Sequence, residues 1–155
     1  MDKALRKRLA GGTFKRVSPE RSRTMSAIRG AGNKTTEVRF RLALVRAGIK
    51  GWRVRPRGLP NSPDFCFPRR KLAVFVDGCF WHGCPKCGHI PKTRTEYWRA
   101  KFKRNRQRDI QAARKLRAKG FDVLRYWEHE LVESAQDCVK RLLKSPRPKV
   151  VRSRD

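Results

Sequence analysis

One short run, residues 72–76, is apolar at every position. It stands in a chain where 41 of 155 residues are Lys or Arg. A strand with one face in water alternates apolar and polar side chains, so a run without alternation must be covered on both faces. Residues 72–76 therefore predict the centre of a sheet flanked by helices.

The neighbouring segments fit around that strand. Residues 64–67 read as a strand, Pro68-Arg69-Arg70 as a turn, residues 52–55 as a short strand and residues 56–63 as a loop. A helix is expected from Thr35-Thr36, with Glu37 in its first turn, to Gly48. Its Val38, Leu42 and Val45 recur at helical spacing and are expected to face the core. Ser18 and Pro19 can open an earlier helix over residues 19–29, which Gly30 and Gly32 break. Downstream, residues 77–92 form a loop rich in Cys, His and Gly. Thr93-Arg94-Thr95-Glu96 fits a capping box, opening a long helix to Lys119 that Gly120 stops. A strand over residues 121–127 and a helix over residues 134–144 follow, the latter with Ala135, Cys138, Val139 and Leu142 on one face. The order α-α-β-β-β-α-β-α predicts an α/β chain with a mixed central sheet. One domain, residues 18–144, lies between a basic mobile arm, residues 1–17, and a disordered basic tail, residues 145–155.

The formal net charge is +28. Such an excess repels itself in the compact state and favours a polyanionic partner, above all nucleic acid. No apolar run approaches the roughly 18 residues of a membrane span. The first fourteen residues are basic without an apolar stretch, unlike a secretory signal. A cytoplasmic, nucleoid-associated protein with no membrane partner is expected. The stretch from Lys92 to Lys119 carries twelve Lys or Arg and two acids. A one-signed helix suits phosphate contacts, although such faces are often only solvated.

Three of the five cysteines fall in Cys79-x4-Cys84-x2-Cys87, followed by His89. In a reducing compartment, that spacing reads as a tetrahedral zinc site rather than a disulfide framework. The fourth ligand is His89 or the distant His129, which would tie the loop to the sheet. Two acids flank the central hairpin: Asp64 opens one strand and Asp77 closes the next. Carboxylates on adjacent strands can hold a hard cation such as Mg²⁺, or can be ordinary strand-end acids paired with arginine. His82 titrates near neutrality and is a candidate general base; a zinc ligand or surface histidine is the other reading. Phe80-Trp81 places two large aromatics together in a polar loop. They are either core residues or a wedge that unstacks a base step.

Taken together, Phe75-Val76-Asp77-Gly78-Cys79-Phe80-Trp81-His82-Gly83-Cys84 and Thr93-Arg94-Thr95-Glu96-Tyr97-Trp98 resemble the very short patch repair (Vsr) endonucleases. Arg23-Thr24-Met25-Ser26-Ala27-Ile28, Pro63-Asp64-Phe65 and Tyr126-Trp127-Glu128 extend the likeness over residues 18–143, in family order. The resemblance implies a restriction-endonuclease-like fold with an embedded structural zinc. It also implies Mg²⁺-dependent nicking of one strand of mismatched duplex DNA, 5′ to the T of a T·G pair, by a monomer working beside other repair proteins. By the same likeness, Asp64 and the Val76 carbonyl would bind Mg²⁺, His82 would be the general base, and Glu37 an acid near the active site. Met25, Phe80 and Trp81 would wedge into the duplex, and Cys79, Cys84, Cys87 and His129 would hold zinc. On the basic helix, Arg94, Trp98, Lys101, Asn105 and Arg108 are the candidate DNA contacts.

The chain also departs from the family pattern. Asp77 stands where some members carry His, and could add a metal ligand or orient His82. Asp77-Gly78-Cys79 lacks the acid-x-Lys pattern of restriction nucleases, which supports His82 as the group that activates water. The loop after Cys84 also differs in length and composition, which keeps His89 open beside Cys87. Two rival readings are a zinc-containing DNA-binding module without catalysis and a related nuclease of changed specificity.

Overall fold

A computed structural model describes residues 36–145. The expected helix over residues 19–29, the arm over residues 1–17 and Met25 lie outside the described residues. The elements run α1 (Glu37–Arg46), β1 (Arg53–Val54), β2 (Phe65–Phe67), β3 (Leu72–Asp77), α2 (Thr95–Ala118), β4 (Asp122–Trp127) and α3 (Glu128–Lys144). A single 3₁₀ turn over Pro68–Arg70 joins β2 to β3. Among the described residues the sheet has the order β1-β2-β3-β4. The first two pairings are antiparallel and β3–β4 is parallel, with α2 as the crossover a parallel pair requires.

Every residue of β3 is buried, because the strand has partners at both edges and helices over both faces. Leu72, Val74 and Val76 join Phe40, Phe65, Tyr126, Leu131 and Leu142 in one core, roofed by α1 and α3. Ala73 and Phe75 point the other way and meet Leu116 of α2. That alternation decides the chemistry. It turns Asp77, the next residue of this second set, toward α2, together with Arg125 and Trp127 of β4. Gly120, at φ +77°, lets the chain leave α2, and Phe121 N–H closes the helix end by donating to the Leu116 carbonyl at 3.0 Å.

Three local expectations are corrected. In α1 the buried side chains are Phe40, Ala43 and Leu44; Leu42 is 47% and Val45 59% exposed, and Val38 is only half-buried. The helix carries two apolar stripes, and the bulkier one, with its aromatic ring, fits against Phe65 and Tyr126. Leu44→Ala is therefore expected to cost about 2–5 kcal/mol, and Leu42→Ala no more than about 0.5 kcal/mol, as read by urea denaturation. Second, the capping box at Thr93 does not form: Arg94 turns through the left-handed region at φ 56°, and the helix starts at Thr95. The Thr95 hydroxyl lies 3.2 Å from the Pro91 carbonyl and 3.1 Å from that of Lys92, fastening the turn instead. Third, α3 begins at Glu128, directly after β4, and kinks at Ser134, whose hydroxyl accepts from Asp137 N–H. The extra first turn is stabilised by Glu130, whose carboxylate accepts the Trp127 N–H at 2.7 Å. No helix among the described residues is long and apolar enough to cross a membrane.

Candidate active site and metal centre

The loop between β3 and α2 carries most of the chemistry. Cys79, Cys84, Cys87 and His129 bring their ligand atoms within 4.8 Å of one another. His129 Nδ1 lies 3.3 Å from Cys79 Sγ and 3.5 Å from the sulfurs of both Cys84 and Cys87. Zinc bonds of about 2.3 Å to sulfur and about 2.0 Å to nitrogen give a tetrahedron with S···N edges of about 3.5 Å. The donor set and its spacing therefore fit zinc. The first turn of α3, absent from the sequence expectation, is what carries His129 to the loop. His89 is not in the cluster; its ring packs at 5.5 Å from Phe80. The loop closes through Gly88, whose N–H donates to the Cys84 carbonyl at 2.8 Å. A Cβ at position 88 would meet that carbonyl oxygen at 2.4 Å, so the turn requires glycine.

His82 follows from the same loop. Its Nδ1 lies 2.8 Å from Asp109 Oδ2 of α2 and 3.7 Å from Asp77 Oδ1. A carboxylate only accepts, so Nδ1 carries the proton and the neutral ring keeps its lone pair on Nε2. Burial works against the charged imidazole, but the Asp109 hydrogen bond and the Asp77 charge outweigh it and raise the pKa above its usual value. Burial likewise opposes the Asp109 carboxylate, yet His82 and Arg125 hold its pKa below the usual range. Asp77 offers both oxygens to Arg125, at 2.6 and 2.7 Å. A cavity of about 630 Å³ opens here, lined by His82, Asp77, Asp109, Arg125 and the α2 arginines Arg106 and Arg114. Neither Asp109 nor Arg125 was singled out from sequence. They stand 27 and 43 residues beyond His82, and an acid in a basic helix gives no local signal.

Asp64 occupies a different environment from Asp77. Its Oδ2 accepts the Val76 N–H at 2.8 Å, and its Oδ1 lies 3.7 Å from Arg55. The same guanidinium is 2.5 Å from Glu37 of α1, so Asp64 and Glu37 flank one positive charge. Burial, helped by the charge of Glu37, pushes the Asp64 pKa up to about 6. The hairpin brings Asp64 and Asp77 close enough to interact electrostatically, but each carboxylate faces its own arginine. Asp64 and Glu37, a partly buried acid pair that draws a cation between them, are chemically suited to a hard divalent ion.

Phe80 and Trp81 are both half-buried. The Phe80 ring meets Trp81, His89, Trp98 and Phe102 at centroid distances of 5.0–5.8 Å. Trp81 meets fewer rings, and Lys101 Nζ lies 4.9 Å from its centroid. Asn105, a candidate DNA contact, is buried in the free protein: its amide donates to the Trp81 carbonyl at 2.7 Å, and its oxygen accepts from Arg108. It fixes the loop that presents Trp81. Arg94, Lys101 and Arg108 remain on or near the surface of this segment, beside half-buried Trp98.

A helix-flanked mixed sheet bearing three thiols and an imidazole that fit a metal, beside a histidine-carboxylate pair, in a chain of +28, defines a class: α/β enzymes that act on nucleic acid. Comparison with known proteins identifies the family. The sequence model described as DNA mismatch endonuclease Vsr matches residues 15–87. The type II nicking enzyme V.NaeI of Lentzea aerocolonigenes is 42% identical over 131 residues, covering 81% of this chain and 78% of the relative. The type II nicking enzyme V.XorIIP of Xanthomonas oryzae is 40% identical over 75% of this chain and 85% of its own length. The DNA mismatch endonuclease Vsr of Escherichia coli is 36% identical over 70% of this chain and 69% of its own. The chain belongs to the Vsr family and is a DNA endonuclease.

Proposed function

We propose that this endonuclease nicks one strand of duplex DNA 5′ to the T of a T·G mismatch, with Mg²⁺ as catalytic cofactor and zinc as structural cofactor, and so starts short-patch repair of deaminated 5-methylcytosine. The observation that carries this reading is His82 held by Asp109 on the same loop as the half-exposed Trp81. One segment thereby couples opening of the stack to the proton transfer.

Asp64 and the Val76 carbonyl would hold Mg²⁺, with Glu37 nearby. Bound there, the ion supplies Lewis-acid polarisation of the phosphodiester. His82 Nε2 takes a proton from the attacking water, and Asp109 stabilises the imidazolium that results. Trp81, with Phe80 behind it and Met25 from the N-terminal segment, enters the base stack. A T·G wobble is weakly stacked, so opening it costs less than opening a matched pair. Lys101, Arg94 and Arg108 contact phosphates. The enzyme would act as a cytoplasmic monomer.

Labelled duplexes carrying T·G, each other mismatch or only matched pairs, assayed with and without Mg²⁺, test the reading. Cutting confined to T·G and to Mg²⁺-containing reactions is expected. Cutting that prefers another mismatch would assign a related nuclease of changed specificity, and binding without cutting would assign a DNA-binding module. In the same assay, Trp81→Ala is expected to bring the affinities for T·G and matched duplexes together while shifting the melting temperature little. Phe80→Ala, which removes the ring at the centre of the cluster, is expected to lower stability by roughly 3 kcal/mol. A large loss of stability with discrimination intact in Trp81→Ala would make that ring part of the core alone.

A further inference from the structure

The structure assigns Arg125 as a positioning residue that fixes which carboxylate holds His82. This inference rests on the reading of His82 as the general base. Arg125 lies on β4 opposite Phe75, and its guanidinium sits 4.6 Å above that ring. Nε and Nη2 donate to the two oxygens of Asp77 at 2.6 and 2.7 Å, and Nη2 also reaches Asp109 Oδ1 at 3.1 Å. One rigid fork therefore binds two carboxylates that belong to different elements, β3 and α2.

The consequence lies at His82. Both Asp77 and Asp109 face His82 Nδ1, at 3.7 and 2.8 Å. Two acceptors competing for one N–H would leave the ring with two orientations, and two unbalanced carboxylates this close would repel. Arg125 removes the competition by engaging both Asp77 oxygens. It also holds Asp109 by Oδ1, leaving Oδ2 for the imidazole. The ring then has one orientation, with Nε2 turned away from both acids. Asp77 is thereby tied to the chain's own cation, and its contribution to the reaction passes through His82 rather than through a metal ion.

Arg125→Met keeps the unbranched apolar stem of the side chain and removes the fork. Single-turnover nicking is expected to fall roughly 10- to 100-fold, the scale for lost supporting hydrogen bonds, with the Kd for duplex DNA within about threefold. Arg125→Lys, which keeps the charge but cannot span two carboxylates, is expected to fall in the same direction and serves if the Met variant folds poorly. The discriminating measurement is rescue. Adding Asp77→Asn to Arg125→Met replaces the competing carboxylate by a neutral amide, a weaker acceptor without charge, and is expected to restore nicking by at least about tenfold. Arg125→Met placed in a His82→Ala background is expected to cost nothing further, because the residue acts through the imidazole. Full activity in Arg125→Met, or absence of rescue by Asp77→Asn, overturns the assignment while leaving His82 as the base. Full activity in His82→Ala alone overturns the underlying reading instead.

Discussion

His129→Ala is expected to yield a chain that neither retains zinc nor folds cooperatively at 25 °C. A structural zinc site contributes about 10–16 kcal/mol of apparent binding free energy at neutral pH. Whole domains are stable by only about 5–15 kcal/mol, so losing most of that contribution leaves no margin. The position of the cluster explains the reach of the effect. Cys79 follows β3, Cys84 and Cys87 lie in the loop, and His129 lies in the first turn of α3. A metal held there would join the C-terminal ends of β3 and β4 and fix the segment that carries Phe80, Trp81 and His82. Elemental analysis of the parent should give about one zinc per chain. Cys79→Ser and Cys84→Ser should behave like His129→Ala, whereas His89→Ala should keep its zinc. A folded, active parent preparation without zinc would refute the structural role. Retention of full zinc in His129→Ala would return the fourth position to His89.

Asp64→Asn is expected to abolish nicking and leave the fold intact. Lewis-acid stabilisation is worth several kcal/mol, and each 1.4 kcal/mol is about tenfold in rate, so the loss should be on the order of 10³-fold or more. Asparagine keeps an oxygen to accept the Val76 N–H and removes a carboxylate whose ionisation burial already opposes. The variant should therefore melt at or above the parent temperature. Duplex affinity at fixed salt should stay within a few-fold, since the phosphate contacts come from basic residues elsewhere. Single-turnover nicking, a thermal melt and a titration on one preparation separate these effects. Mg²⁺-dependent nicking retained at the parent rate would remove Asp64 from the chemistry.

The contrast between Asp64 and Asp77 shows where sequence reasoning ends. Both read as strand-end acids flanking one hairpin, and β2 and β3 do pair as expected. Strand identity came from the unbroken apolar run of residues 72–76, and the zinc spacing came from Cys79, Cys84 and Cys87. Both are local signals, because burial on two faces and chelate closure depend on residues close in the chain. The stop of α2 at Gly120 and the buried face of α3, with Cys138, Val139 and Leu142, were equally legible.

What periodicity could not choose was the partner of each face. Val38, Leu42 and Val45 are as helical in spacing as Phe40, Ala43 and Leu44, and only the fit of Phe40 between Phe65 and Tyr126 selects the second set. Asn105 reads as a DNA-contact candidate on a basic helix, and only the fold shows that its amide holds the Trp81 carbonyl. Sequence alone determined the central strand, the thiol cluster, the basic helix and the candidacy of His82. Tertiary structure alone decided that His129, and not His89, gathers with the three thiols, that Asp109 holds His82 and that Arg125 engages Asp77. Each of those contacts joins residues 27 to 50 positions apart. A secondary-structure repeat specifies which residues share a face, but only the packing of α2 and α3 against β3 and β4 specifies what that face meets.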